Sequence, residues 1–162
     1  MNVTWPSNQA AVLRTTYQGS ENFVVTGYDA SGDLGPLFVN TIGNYDGVRL
    51  FDVDADTSAS RLQVQASGPW TITINPLMSA PTEKSPGTYN GTGDTVLLIK
   101  GSPAIARFHN TGRDNFVVTS YTNSSKDVLI NKIGVFDGAK VVPPGTLLFE
   151  VQSDGAWSAT LS

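Results

Sequence analysis

The chain has 162 residues, room for one large domain or two small ones, and its 40% apolar content is enough for a core and excludes disorder. A net charge of −4 repels a phosphate backbone, which argues against nucleic-acid binding. The lack of cysteine excludes disulfides and thiolate metal sites, and the longest aliphatic run, 96–99, is far too short to span a bilayer, so no membrane insertion is expected.

In chain order, 11–17 reads as a strand, and Gly19 and Ser20 turn it into 22–28. There Phe23, Val25 and Gly27 share one face, while Val24, Thr26 and Tyr28 share the other. Residues 29–33 make the next turn and 37–40 a third strand. Asp46-Gly47, between apolar segments, predicts a hairpin, because glycine accepts φ > 0 without steric cost. Residues 48–53 leave that turn, 61–66 alternate as a half-buried strand, and 70–74 repeat the period of two.

The string 21–28 then returns, nearly letter for letter, as 114–121, so the chain reads as a duplication. Residues 128–131 match 37–40, 133–138 match 42–47, and 149–157 match the segment ending at Trp70. Repeats of roughly 80–90 residues suit small β-sandwiches near the lower limit of stable size. The expected fold is therefore all-β, with two tandem, internally duplicated antiparallel β-sandwich domains of jelly-roll or Ig-like type. Their bounds are 1–78 and 88–162, joined by a proline-bracketed linker at 79–87.

At this alignment Val96 falls on Val3, so Gly91 and Gly93 have no counterparts in the first repeat. The start of the chain shows no signal-peptide pattern and coincides with the start of that repeat. It reads as a mature form or a segment of a longer precursor.

Few residues suggest catalysis. The only histidine, His109, aligns with Thr16 on a strand with no nucleophile elbow nearby, so it reads as a surface residue. Most acidic residues fall in turns, where aspartates bond their own backbone, which leaves a two-carboxylate hydrolase as the third-ranked reading. Asp52, Asp54 and Asp56 have the spacing that opens a calcium loop, but Thr57 stands where glycine is needed and Gln63 where the bidentate glutamate belongs. On an extended strand the three would share one solvated face. No cofactor is expected, with calcium at these aspartates the one candidate.

The doubled residues carry the most information: Asn22/Asn115, Tyr28/Tyr121, Asn40/Asn131, Asp46/Asp137, Gly68/Gly155 and Trp70/Trp157. As fold elements, the tryptophans pin the cores and the asparagines tie loops to backbone. As ligand sites, Asn40, Tyr45 and Asp46 in one repeat and Asn131, Phe136 and Asp137 in the other would form equivalent sites in a bivalent module. Trp5, Tyr17, Tyr89 and Phe108 are further aromatics available for stacking on a sugar ring.

The motif Asn-Phe-Val-Val at 22–25, the stretch 39–47, the Gly-x-Trp-Thr-Ile segment at 68–72 and the opener at 91–94 resemble tandem repeats in secreted or lipid-anchored bacterial proteins, particularly actinobacterial ones. The resemblance implies extracellular or cell-surface β-sandwiches and no defined activity. The expected function is a non-catalytic binding module, with carbohydrate as first ligand. The alternative is a structural or adhesive spacer that binds a cell-surface protein through an edge strand.

Overall fold

The computed structural model describes residues 1–6 and 9–162. The described residues are all-β, with several antiparallel sheets, and divide into two compact units, Met1–Ser79 and Ala80–Ser162.

Unit 1 contains β1 (Ala11–Tyr17), β2 (Asn22–Tyr28), β3 (Leu34–Ile42), β4 (Tyr45–Phe51), β5 (Arg61–Gln65) and β6 (Trp70–Pro76), followed by a 3₁₀ turn at Leu77–Ser79. Its strands form two antiparallel sheets, β4-β1-β6 and β3-β2-β5. Alternation explains the packing. On β1, Leu13, Thr15 and Tyr17 point inward while Arg14 and Thr16 reach solvent, and on β2 Phe23, Val25 and Gly27 form the buried face. The core draws on both sheets: Tyr17 of β1 stacks on Phe23 of β2 with centroids 4.6 Å apart, and Phe38 of β3 meets Phe51 of β4 at 5.7 Å. The arrangement is sandwich-like.

Unit 2 contains β7 (Thr82–Lys84), β8 (Gly87–Thr92), β9 (Thr95–Lys100), β10 (Ile105–Asn110), β11 (Asn115–Tyr121), β12 (Lys126–Ile133), β13 (Phe136–Val141), β14 (Leu148–Gln152) and β15 (Ala156–Leu161). Its sheets are β13-β10-β15-β8 and β12-β11-β14-β9-β7. Apart from the added β7, β8 and β9, the strand order is that of unit 1. All pairings are antiparallel except β7 with β9. The edge-to-face contact of Phe108 on β10 with Phe149 on β14, at 5.5 Å, joins the two sheets through the core.

Three local expectations change. The Asp46-Gly47 hairpin does not form. The turn lies at Gly43 and Asn44, where Gly43 takes φ +87°, and it carries the chain from β3 in one sheet to β4 in the other. Asp46 and Gly47 instead lie within β4, opposite Thr16 and Thr15. Gly134, at φ +83°, makes the same turn before β13.

The segment read as a linker, 79–87, contains β7. Its register on β9 is held by the Leu98 N–H donating to Pro81 O and the Ser85 N–H donating to Lys100 O, each at 2.8 Å. Those bonds satisfy backbone groups on the outer edge of β9, which would otherwise stay bare.

The three aspartates at 52–56 share no strand face. The backbone leaves β4 at Asp52 with φ +55° and closes a tight loop on Thr57.

Candidate functional site

Of the candidate ligand residues, the aromatics and the aspartates have local partners in each unit. Tyr45 starts β4 half-buried, its ring 6.1 Å from Phe23, and Phe136 starts β13 in the same way, 5.8 Å from Phe116. Both rings therefore close the ends of cores. Asp46 receives the Arg14 guanidinium at 2.7 Å across the β1–β4 pair. Asp137 receives Arg107, with His109 Nδ1 at 3.6 Å from its second oxygen. Asn40 and Asn131 are exposed on β3 and β12, in the sheet that does not hold the aspartates. The loop-tying role falls to other asparagines: Asn44 Oδ1 accepts the Gly19 N–H, and Asn110 Nδ2 donates to Gly134 O.

The loop at 52–58 is held by protein donors and acceptors. Thr57 Oγ1 accepts the N–H groups of Val53 and Asp54 at 2.9 and 3.0 Å, and lies 3.0 Å from an Asp54 carboxylate oxygen. Ser58 Oγ donates to Asp52 Oδ1 at 2.8 Å. Among the described residues, no group of three acidic or imidazole side chains is placed to hold a metal ion.

A different feature separates the two units. In unit 2, β8 covers the outer edge of β15, with Trp157 opposite Gly91, Ala159 opposite Tyr89 and Leu161 opposite Gly87. Trp157 is 3% exposed; its indole N–H donates to Gly93 O at 3.0 Å, and its ring lies 5.6 Å from that of Tyr89. Gly91 makes this contact feasible, since a Cβ there would lie 2.5 Å from the indole. Burial beside Trp157 raises the Tyr89 phenol above its usual 10.0.

In unit 1 the matching strand is β6, and among the described residues it pairs with β1 alone. Gln18 N–H donates to Pro69 O and Leu77 N–H to Ala10 O, which sets the hydrogen-bonding alternation along β1–β6. Thr71, Thr73 and Asn75 therefore bond to β1, whereas Trp70, Ile72 and Ile74 direct their backbone groups to the open edge. The side chains of these same three residues face inward: Ile72 and Ile74 pack half-buried on the core, and Trp70 is 40% exposed. Beside Trp70 opens a cleft of about 460 Å³ lined by Met1 and residues 61–64 of β5. The expectation that both tryptophans pin a core thus holds for Trp157 and fails for Trp70: a strand is laid over Trp157, and among the described residues none is laid over Trp70.

Of the other aromatics considered for sugar stacking, Tyr17 and Phe108 are core residues, and Trp5 donates its indole N–H to Gln9 O. Two features had no signal in the sequence. One is the cation–π contact of Arg61 over Tyr28, at 4.6 Å. The other is the buried bond from Ser153 Oγ to Asn110 Oδ1, at 2.7 Å, which depends on a pairing between distant strands. No family model matches the chain, and a search of curated proteins finds no match to it.

Proposed function

We propose that the chain is a non-catalytic binding module of two duplicated, tandem β-sandwich domains, acting at the bacterial surface or outside the cell, and that it engages protein partners through an edge strand. The edge of β6 carries this reading: among the described residues no strand pairs with its outward side at Trp70, Ile72 and Ile74, whereas the matching edge of β15 is covered by β8. Addition of a strand to a sheet edge draws affinity from main-chain hydrogen bonds and specificity from alternate side chains. The common strand order of the two units and the recurring string at 21–28 and 114–121 support the duplication. The resemblance to secreted bacterial repeats supports the location.

Carbohydrate binding is the second reading, favoured by the part-exposed Trp70 indole beside its cleft and no longer by Asn40, Tyr45 and Asp46 or by Asn131, Phe136 and Asp137. Peptide-display selection on the full chain, run beside a glycan array, tests both. Enrichment of extended peptides that Trp70→Ala releases is the expected result. Glycan binding sensitive to Trp70→Ala, with no peptide enriched, would replace the first reading by the second.

A further inference from the structure

We infer that unit 2 adsorbs to anionic lipid bilayers through one end of its strands, with Ile105, Val141 and Leu147 entering the headgroup layer and Lys84, Lys100 and Lys140 meeting the lipid phosphates. The inference goes beyond the edge-strand reading and stands apart from it, since it uses neither β6 nor Trp70.

Topology gathers these residues. The pairings of unit 2 place the starts of β8, β10, β12 and β14 at the same end as the finishes of β7, β9, β11, β13 and β15. There Ile105 opens β10 directly opposite Val141, the last residue of β13. The loop that leaves β13 is fixed by the Val142 N–H donating to Ala104 O and by the Thr146 hydroxyl donating to Pro143 O. Leu147 donates its N–H to Tyr121 O and accepts the Ile99 N–H, so its backbone is held while its side chain stays exposed. Val141 is 72% exposed. Aliphatic groups held in water on a fixed backbone contribute little to folding. A bilayer boundary would remove them from water at little further cost in chain order.

Charge decides what this end can meet. The lysines of the chain all fall in unit 2, and only Lys132 stands away from this end. Lys84, Lys100 and Lys140 make no ion pair among the described residues. Lys126 has Asp127 beside it in sequence, and the Glu83 carboxylate turns back to accept the Lys84 backbone N–H and lies over Gly87. Lys84 and Lys100 lie directly opposite each other on β7 and β9. Like charges so placed repel, a cost that an anion between them removes. Lysine also guards a sheet edge against pairing, which accounts for Lys84 on β7 but not for Lys100, whose strand lies inside the sheet.

The opposite end of unit 2 supplies the contrast. It exposes Ile133 and Val135, but there Asp94, Asp114 and Asp154 outnumber Arg113 and Lys132, so lipid phosphates would be repelled. Unpaired lysines and exposed aliphatic groups coincide at one end only. That combination fits a bilayer better than a soluble phosphate, which the aliphatic side chains would not contact.

The test sediments the full 162-residue chain with vesicles of phosphatidylcholine, alone or mixed equally with phosphatidylglycerol. Binding to the mixed vesicles is expected, with little to phosphatidylcholine alone, and added salt should weaken it. Lys100→Gln should weaken binding about fivefold, the contribution of one lysine near an anionic surface. Val141→Ser should weaken it about threefold or more. Val135→Ser at the opposite end should leave it unchanged, as should Trp70→Ala, which tests the edge strand.

Failure to bind the mixed vesicles would overturn the inference and leave the edge-strand reading standing. Equal binding to phosphatidylcholine alone would remove the lysines from the account and overturn it. Loss in Val135→Ser would move the contact to the opposite end, with the same consequence. Binding indifferent to Val141→Ser and displaced by inorganic phosphate would make the lysines a phosphate site and overturn the bilayer as occupant.

Discussion

Trp70 and Trp157 stand at the same point of the same strand order, yet one is 40% and the other 3% exposed. A buried tryptophan that also donates a hydrogen bond should be costly to remove. Trp157→Ala is predicted to destabilise the protein by about 3–5 kcal/mol in urea unfolding, and Trp70→Ala by about 1 kcal/mol or less. Equal losses would mean that Trp70 is as well packed as its counterpart. Tyr89 supplies a pH test at the same scale. Burial favours its neutral phenol, so its folded value lies above 10.0, the value expected in the unfolded chain. The resulting stabilisation is complete below pH 10.0 and is lost as pH rises through the folded value, because the unfolded chain ionises first. Tyr89→Phe should flatten that alkaline loss in thermal melts taken between neutral pH and strongly alkaline buffer. An unchanged slope would assign the loss to other groups.

Individual elements differ in how much of their structure was legible from local sequence. Strands such as β1, β2 and β5 announce themselves by alternation, since the period of two is a local property of the chain. Asp46-Gly47 misled because the dipeptide permits a tight turn without requiring one. Gly43, a few residues earlier, takes the positive φ, and Asp46 gains Arg14 by staying in the strand. The aspartates at 52–56 misled in another way: their spacing is compatible with a cation loop or a strand face, but Thr57 offers a hydroxyl that closes the loop by itself. Thr57→Val should therefore cost about 1–2 kcal/mol, as the part-buried N–H groups of Val53 and Asp54 lose their acceptor. Added calcium should not restore that loss in a thermal melt. Full rescue by calcium would return the metal reading to these aspartates.

For the whole molecule, the common strand order of the units makes their difference informative. The tryptophans follow similar strings, Ser-Gly-Pro-Trp and Asp-Gly-Ala-Trp, so nothing local distinguishes a covered tryptophan from a part-exposed one. The distinction comes from β8, which is remote in sequence from β15 and meets it only through the fold. Ligand residues were sought where the halves agree, at Asn40/Asn131 and Asp46/Asp137, yet the aspartates pair with Arg14 and Arg107 while the asparagines lie exposed on the other sheet. The candidate site instead lies where the halves diverge, at an edge covered in one unit and, among the described residues, uncovered in the other.

Amide hydrogen exchange on the unliganded full chain, resolved residue by residue, tests that divergence most directly. The account predicts fast exchange at Trp70, Ile72 and Ile74 and slow exchange at Thr71 and Thr73 of the same strand. Trp157, Ala159 and Leu161 should all be slow beneath β8. Equal protection of Trp70, Ile72 and Ile74 with their unit 2 counterparts would mean that β6 is already paired in solution, and would contradict the open edge on which the proposed function depends.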